Sequence, residues 1–151
     1  MSELMSELSI LQPVVALAAW TMVMWIWMYA TRIPAMGAAK VEPDKLANDP
    51  ETTLDRVLPP QVQWKAHNYN HLHEAPTVFY AIALVLFLTG EGDGRTAVLA
   101  WAYVALRVLH SLVQATVNKV VIRFAIFWLS STVLIALIAL AARAVFLGTT
   151  P

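Results

Sequence analysis

Four apolar segments constrain this chain more than any other feature of its sequence. Three of them, at 10–29, 96–117 and 124–142, hold at most one Asp, Glu, Lys or Arg each. Each approaches or exceeds the roughly 20 residues that an α-helix needs to cross a bilayer. Charged residues make up 13% of the chain, about half the usual share of a soluble domain. The sequence therefore predicts an all-α integral membrane protein with four spans.

The remaining apolar segment, 75–89, is shorter than a bilayer requires. As a helix it would measure about 22 Å, against a hydrocarbon core of about 30 Å. The turn sequence at 90–95 prevents extension forward, so we predict one continuous helix that extends backward through Glu74, His71 and His67. The predicted spans are 10–31, 63–90, 96–117 and 122–147, in a single domain over 1–151 with one long cytoplasmic loop at 32–62.

The basic residues predict how the spans are oriented. The first and third loops share one side and hold seven of them: Arg32, Lys40, Lys45, Arg56, Lys65, Lys119 and Arg123. The other side holds only Arg95 and Arg143. Basic loops stay in the cytoplasm, so we predict a multi-pass protein with both termini outside the cytoplasm. The small size of the chain favours a bacterial protein, which would place it in the inner membrane with both termini periplasmic. The acidic start, with Glu3 and Glu7, is unlike a cleaved signal peptide. The net charge of zero gives no support for nucleic-acid binding.

Polar side chains inside the second and third spans are the best indication of function. On the second span they recur at a spacing that shares one helix face: His67, Asn70, His71 and Glu74. On the third span they do so again: Arg107, His110 and Gln114. Ionisable groups in a membrane are kept mainly where they pair or form a site. Counting from the turn at 90–95 puts both faces at similar depth, so we predict a Glu74–Arg107 ion pair.

The order and spacing of these residues resemble the MAPEG family, the membrane-associated proteins of eicosanoid and glutathione metabolism. The resembling elements are Asn70-x-x-x-Glu74-x-Pro76, Arg107-x-x-His110 and Arg123, sixteen residues after Arg107. The four-span pattern, the long first loop and the short last hairpin match as well. The resemblance implies a four-helix bundle that assembles as a homotrimer. It also implies glutathione bound between protomers near the cytoplasmic face, and lipophilic small molecules that enter from the membrane lipids.

The resemblance also implies roles for single residues. Arg123 matches the arginine held responsible for activating the thiolate, which makes it the candidate catalytic residue. The other residues implied in glutathione binding are Arg32, Asn70, His71, Glu74, Arg107, His110 and Gln114. Active members have arginines one and two turns before the glutamate, where this chain has His67, Asn70 and His71. Gln114 stands where a tyrosine is usual.

These observations lead to three functional hypotheses. The first is a glutathione-dependent transferase or peroxidase that acts on lipophilic substrates. The second is a non-enzymatic lipid-binding or scaffold protein, in which Glu74 and Arg107 are purely structural. The third is a metal-dependent membrane enzyme, because His67, His71 and Glu74 have the spacing of metal ligands on a helix. The chain has no Cys and lacks a second His-rich cluster, so we expect no bound metal.

Overall fold

The computed structural model describes residues 9–48 and 53–148, so Glu3 and Glu7 lie outside the described residues. Within these ranges the chain folds into helices: α1 (Leu11–Ala38), α2 (Pro43–Asn48), α3 (Leu54–Val57), α4 (Pro60–His71), α5 (Ala75–Leu88), α6 (Arg95–Thr116) and α7 (Val120–Leu147). Four stretches are long and apolar enough to cross a membrane, namely α1, α4 together with α5, α6, and α7. The prediction of an all-α, four-span membrane protein is confirmed.

The four spans pack side by side around an apolar core. Helix α1 contacts α4, α5 and α6, while α7 contacts α6 and α5. The core contains the fully buried side chains of Leu17, Met24, Phe79, Tyr103 and Leu137. The rings of Phe79 and Tyr103 stack with their centroids 4.6 Å apart. Many large apolar side chains of α1 and α7 point outward instead, which suits a surface that faces lipid.

The ends of the helices differ from the predicted spans. Helix α1 continues through Pro34 to Ala38, beyond the predicted end at 31. The predicted loop at 32–62 is correspondingly shorter and contains the short helices α2 and α3. Proline at the first position of α4, Pro60, suits a helix start because its missing N–H would have no partner there. Helices α6 and α7 begin and end within two residues of their predicted bounds.

The second span is broken, and the prediction of one continuous helix over 63–90 is wrong. Helix α4 ends at His71 and α5 begins at Ala75. Pro76 explains the break, because it has no N–H to donate to the carbonyl of Leu72 and its ring would clash with that carbonyl. Glu74 adopts φ −91° and ψ −103°, far from helical values. After the break the span changes its neighbours, since α4 packs against α6 whereas α5 packs against α7.

The start of α1 is tied to the turn between α5 and α6. The N–H of Ile10 donates to the carbonyl of Gly92 at 2.8 Å. A methyl group on Gly92 would lie 2.9 Å from Cγ2 of Ile10 and 3.1 Å from Cα of Phe87. Only glycine therefore allows the backbone to approach this closely. Arg143, near the end of α7, lies 3.8 Å from the carboxylate of Glu91 at the same end of the bundle.

Candidate functional site

Arg107, on α6, is fully buried and occupies the break in the second span. In a continuous helix the carbonyl of His71 would accept a hydrogen bond from the N–H four residues later, and the break removes this partner. Nη2 of Arg107 donates to this carbonyl at 3.2 Å, and the N–H of Glu74 approaches the same oxygen at 3.4 Å. The guanidinium also lies over the ring of Phe127, 5.8 Å from its centroid. A permanent cation is thus held next to a carbonyl that the break has left without its helical partner.

The predicted Glu74–Arg107 ion pair is not formed. Oε2 of Glu74 lies 2.7 Å from Nδ1 of His71 instead. The side chain of Glu74 is 66% exposed, whereas Arg107 is 0% exposed. The prediction assumed a continuous helix, and the break turns Glu74 away from the interior. His71 therefore has the carboxylate on one side, while its backbone carbonyl accepts the arginine.

His71, His110 and Arg123 line one open cleft of about 220 Å³. The apolar side chains that line it belong to α7: Val120, Phe124 and Phe127. The imidazole rings of His71 and His110 have centroids 5.1 Å apart. Three of the residues predicted for the site, from three different spans, therefore meet in one place.

Arg123 is held in the cleft by the turn before α7. Its Nη1 donates to Oδ1 of Asn118 at 2.6 Å. Asn118 has φ of 50°, a left-handed conformation that asparagine tolerates better than most residues. This bond leaves other N–H groups of the guanidinium to bind an anion.

Gln114 is buried beside a residue that the sequence interpretation missed. Nδ2 of Asn68 donates to Oε1 of Gln114 at 3.0 Å, and both side chains are buried. Asn68 lies one residue after His67 and so about 100° away from the face considered in the sequence. The signal that could have found it is the amide side chain itself, because an asparagine within a membrane span needs a hydrogen-bond partner from another helix.

Two further predicted residues lie outside the cleft. Asn70 is exposed on α4. Arg32 reaches from α1 to α4, where its Nη2 lies 3.5 Å from Oε1 of Gln63. Gln63 in turn donates to the carbonyl of Leu54. Arg32 thus joins the first span to the second and to α3.

The three candidate metal ligands do not converge. Nε2 of His67 lies 3.1 Å from Asp55, at an exposed position, while His71 contacts Glu74. Among residues 9–48 and 53–148, no group of three His, Cys, Asp or Glu side chains is arranged to hold a metal ion. The spacing that suggested a metal-dependent enzyme does not produce a coordination geometry here.

A family model for the MAPEG family matches residues 10–143. The chain belongs to the MAPEG family. The match contains every residue of the cleft and the main part of all four spans, and it confirms the resemblance inferred from the polar motifs. Searches of curated proteins and of solved structures gave no significant match.

Proposed function

We propose that this MAPEG protein is a glutathione-dependent transferase or peroxidase that acts on lipophilic substrates. The observation that best supports the proposal is the convergence of His71, His110 and Arg123 in one cleft, with Arg107 buried behind it. Glutathione is an anion, and its thiolate is the nucleophilic form of its sulfur. A fixed guanidinium such as that of Arg123 stabilises the thiolate by charge pairing.

We propose that the site is completed in a homotrimer, with glutathione bound between protomers. The cleft of about 220 Å³ is smaller than most ligand pockets, which measure about 300–1,000 Å³. Asn70 and Glu74 are exposed about halfway along the second span, where lipid tails offer no hydrogen bonds. A neighbouring protomer would cover these groups and close the cleft. Cross-linking in the native membrane should give trimers, and a monomer would contradict this arrangement.

We also propose that the cleft opens toward the cytoplasm of a bacterial cell and that both termini are periplasmic. This orientation is supported by the basic residues: the side with the first and third loops has seven Lys and Arg residues, and the opposite side has two. Arg123 and Lys119, at the start of α7, belong to the basic side. A reporter fused after α7 should report the periplasm, and a cytoplasmic signal would reverse the orientation.

Glutathione binding to the purified protein tests the proposed function. By titration calorimetry the wild-type protein should bind glutathione at millimolar concentration. Arg123→Leu should lower turnover with an apolar electrophile by about a hundredfold or more, because it removes the cation that stabilises the thiolate. The matched control is Lys119→Leu, which removes an exposed cation four residues earlier and should change turnover little. Absence of binding by the wild-type protein would contradict the glutathione function.

Non-enzymatic lipid binding is the second candidate, and a separate feature favours it. An apolar groove of about 580 Å³ lies between α1 and α6. Trp20 and Trp101 line it, together with the small side chains of Ala16, Ala19 and Ala105. A lipid chain fits such a groove without any contribution from the polar cleft. Lipid that co-purifies with a protein unable to bind glutathione would favour this function.

A further inference from the structure

We propose that His71 is the general base of the cleft and that Glu74 is its positioning residue. The inference rests on the proposed thiol chemistry and adds a proton acceptor to it. It gives both residues a role in proton transfer instead of the glutathione binding that the family resemblance implies. The proposed function gives Arg123 the task of stabilising the thiolate, but a guanidinium does not accept a proton. The proton of the thiol therefore needs a base within the cleft.

The contact between Glu74 and His71 fixes which nitrogen of the imidazole can act. An ionised carboxylate only accepts hydrogen bonds, so the 2.7 Å contact with Oε2 places the proton of neutral His71 on Nδ1. Nε2 then has the free lone pair. Within the described parts of the chain Nε2 makes no hydrogen bond, and His71 is one of the residues that line the cleft. A carboxylate that holds an imidazole in this tautomer is the arrangement that prepares histidine for general-base catalysis.

His110 lines the same cleft but is less suited to accept the proton. It is 2% exposed, and its Nδ1 is buried without a partner among the described residues. The charged and titratable groups around the two imidazoles are Glu74 from the second span, Arg107 from α6 and Arg123 from α7. Both arginines oppose a further positive charge on either ring. Only His71 has a carboxylate in contact, so only there is the new charge compensated.

The proposed proton transfer balances with the groups of the cleft. The S–H bond breaks, the proton goes to Nε2 of His71, and the electron pair stays on sulfur as a thiolate beside Arg123. The imidazolium is paired with the carboxylate of Glu74. With chlorodinitrobenzene, the sulfur bonds to the carbon that carries chlorine, the C–Cl bond breaks, and chloride leaves with its electron pair. The imidazolium then gives its proton to water. Where an addition product needs a proton, Nε2 returns it and the base is restored.

His71→Gln separates a catalytic base from a residue that only holds the break together. Turnover with chlorodinitrobenzene, an apolar electrophile, should fall about a hundredfold or more, as expected for loss of a general base. Glutathione affinity by calorimetry should stay within about threefold of wild type. The wild-type kcat/KM should fall at low pH, where the base is protonated, and this acidic limb should be absent in the variant.

His73→Gln is the matched control. His73 lies two residues away, is exposed, and bonds through Nδ1 to the carbonyl of Tyr69 at 2.8 Å. It does not line the cleft, so its replacement should leave turnover and the pH profile unchanged. A loss equal to that of His71→Gln would mean that the effect comes from the helix and not from the base.

Glu74→Gln tests the positioning role, and it serves if His71→Gln does not fold. Nitrogen-15 NMR of the wild-type histidines should show His71 protonated at Nδ1 when neutral, and a mixture of tautomers in the variant. Turnover should fall at least tenfold while glutathione affinity changes little.

Three outcomes would overturn the proposal. If His71→Gln keeps wild-type turnover and pH profile, His71 is not the base, although the glutathione function stands. If affinity falls as much as turnover, His71 is a binding residue. If the wild-type protein does not bind glutathione, the proposed function and the base assignment fail together.

Discussion

The two halves of the second span are built in different ways. Helix α4 buries the polar side chains of Gln63 and Asn68, and it packs against α1 and α6. Helix α5 buries Phe79, Ala83 and Leu86 and packs against α7 and α1. The first half is therefore attached by specific hydrogen bonds, and the second by close apolar packing.

The cleft lies near the join between these halves, and the comparison explains why. A polar helix can present imidazole and carboxylate groups within a membrane protein, but it needs partners that satisfy them. An apolar helix anchors the span without such partners. The break between them exposes the His71 carbonyl, which Arg107 binds. The candidate site thus lies where a stable apolar half supports a polar half.

The largest expected effect concerns the apolar half. Phe79→Ala should lower the free energy of unfolding by about 3–5 kcal/mol, because it leaves a cavity beside Tyr103. Unfolding in mixed detergent micelles measures this change. Val78→Ala, at an exposed position on the same helix, should cost less than about 1 kcal/mol. Equal losses for the two variants would show that apolar packing does not anchor this half.

A smaller loss is expected in the polar half. Asn68→Ala should cost about 1–2 kcal/mol, because it leaves the buried amide of Gln114 without its partner. The same unfolding measurement applies, with Gln61→Ala as a control at an exposed position on the same helix. A loss as large as that of Phe79→Ala would remove the contrast between the two halves.

The smallest expected effect tests the break itself. In a double-mutant cycle, Glu74→Ala and Arg107→Met should be additive within about 0.5 kcal/mol, because the two side chains bind different atoms of His71 and not each other. Glu74→Ala and His71→Ala should couple by about 0.5 kcal/mol or more, because these side chains are in contact. Strong coupling between Glu74 and Arg107 would instead indicate the direct ion pair that the sequence predicted for a continuous helix.

Three of the four spans could be predicted because each rests on the length of an apolar segment, which the sequence shows directly. The second was predicted by extending a shorter apolar run backward. The break could not be predicted by that reasoning. The apolar run at 75–89 was too short for a bilayer, and length alone required a continuous helix. Pro76 was visible, but a proline within a membrane helix is often tolerated. The structure shows that here it separates α4 from α5.

The sequence predicted which residues belong to the candidate site better than it predicted which of their atoms are in contact. His71, His110 and Arg123 were identified from motifs and from the MAPEG resemblance, and the structure places all three around one cleft. Which atoms bond depends on the rotation of each helix about its axis, at about 100° per residue. A break of three residues changes that rotation, so Glu74 contacts His71 and not Arg107.

The contact between Ile10 and Gly92 fixes one end of the bundle. At that end the first span is fastened to the turn that follows the second, with no room for a side chain on Gly92. The cleft lies toward the opposite end, beside the start of α7. The backbone is therefore fastened most closely at the end of the bundle that lies away from the candidate site, and a side chain at Gly92 would disturb packing there without touching the cleft.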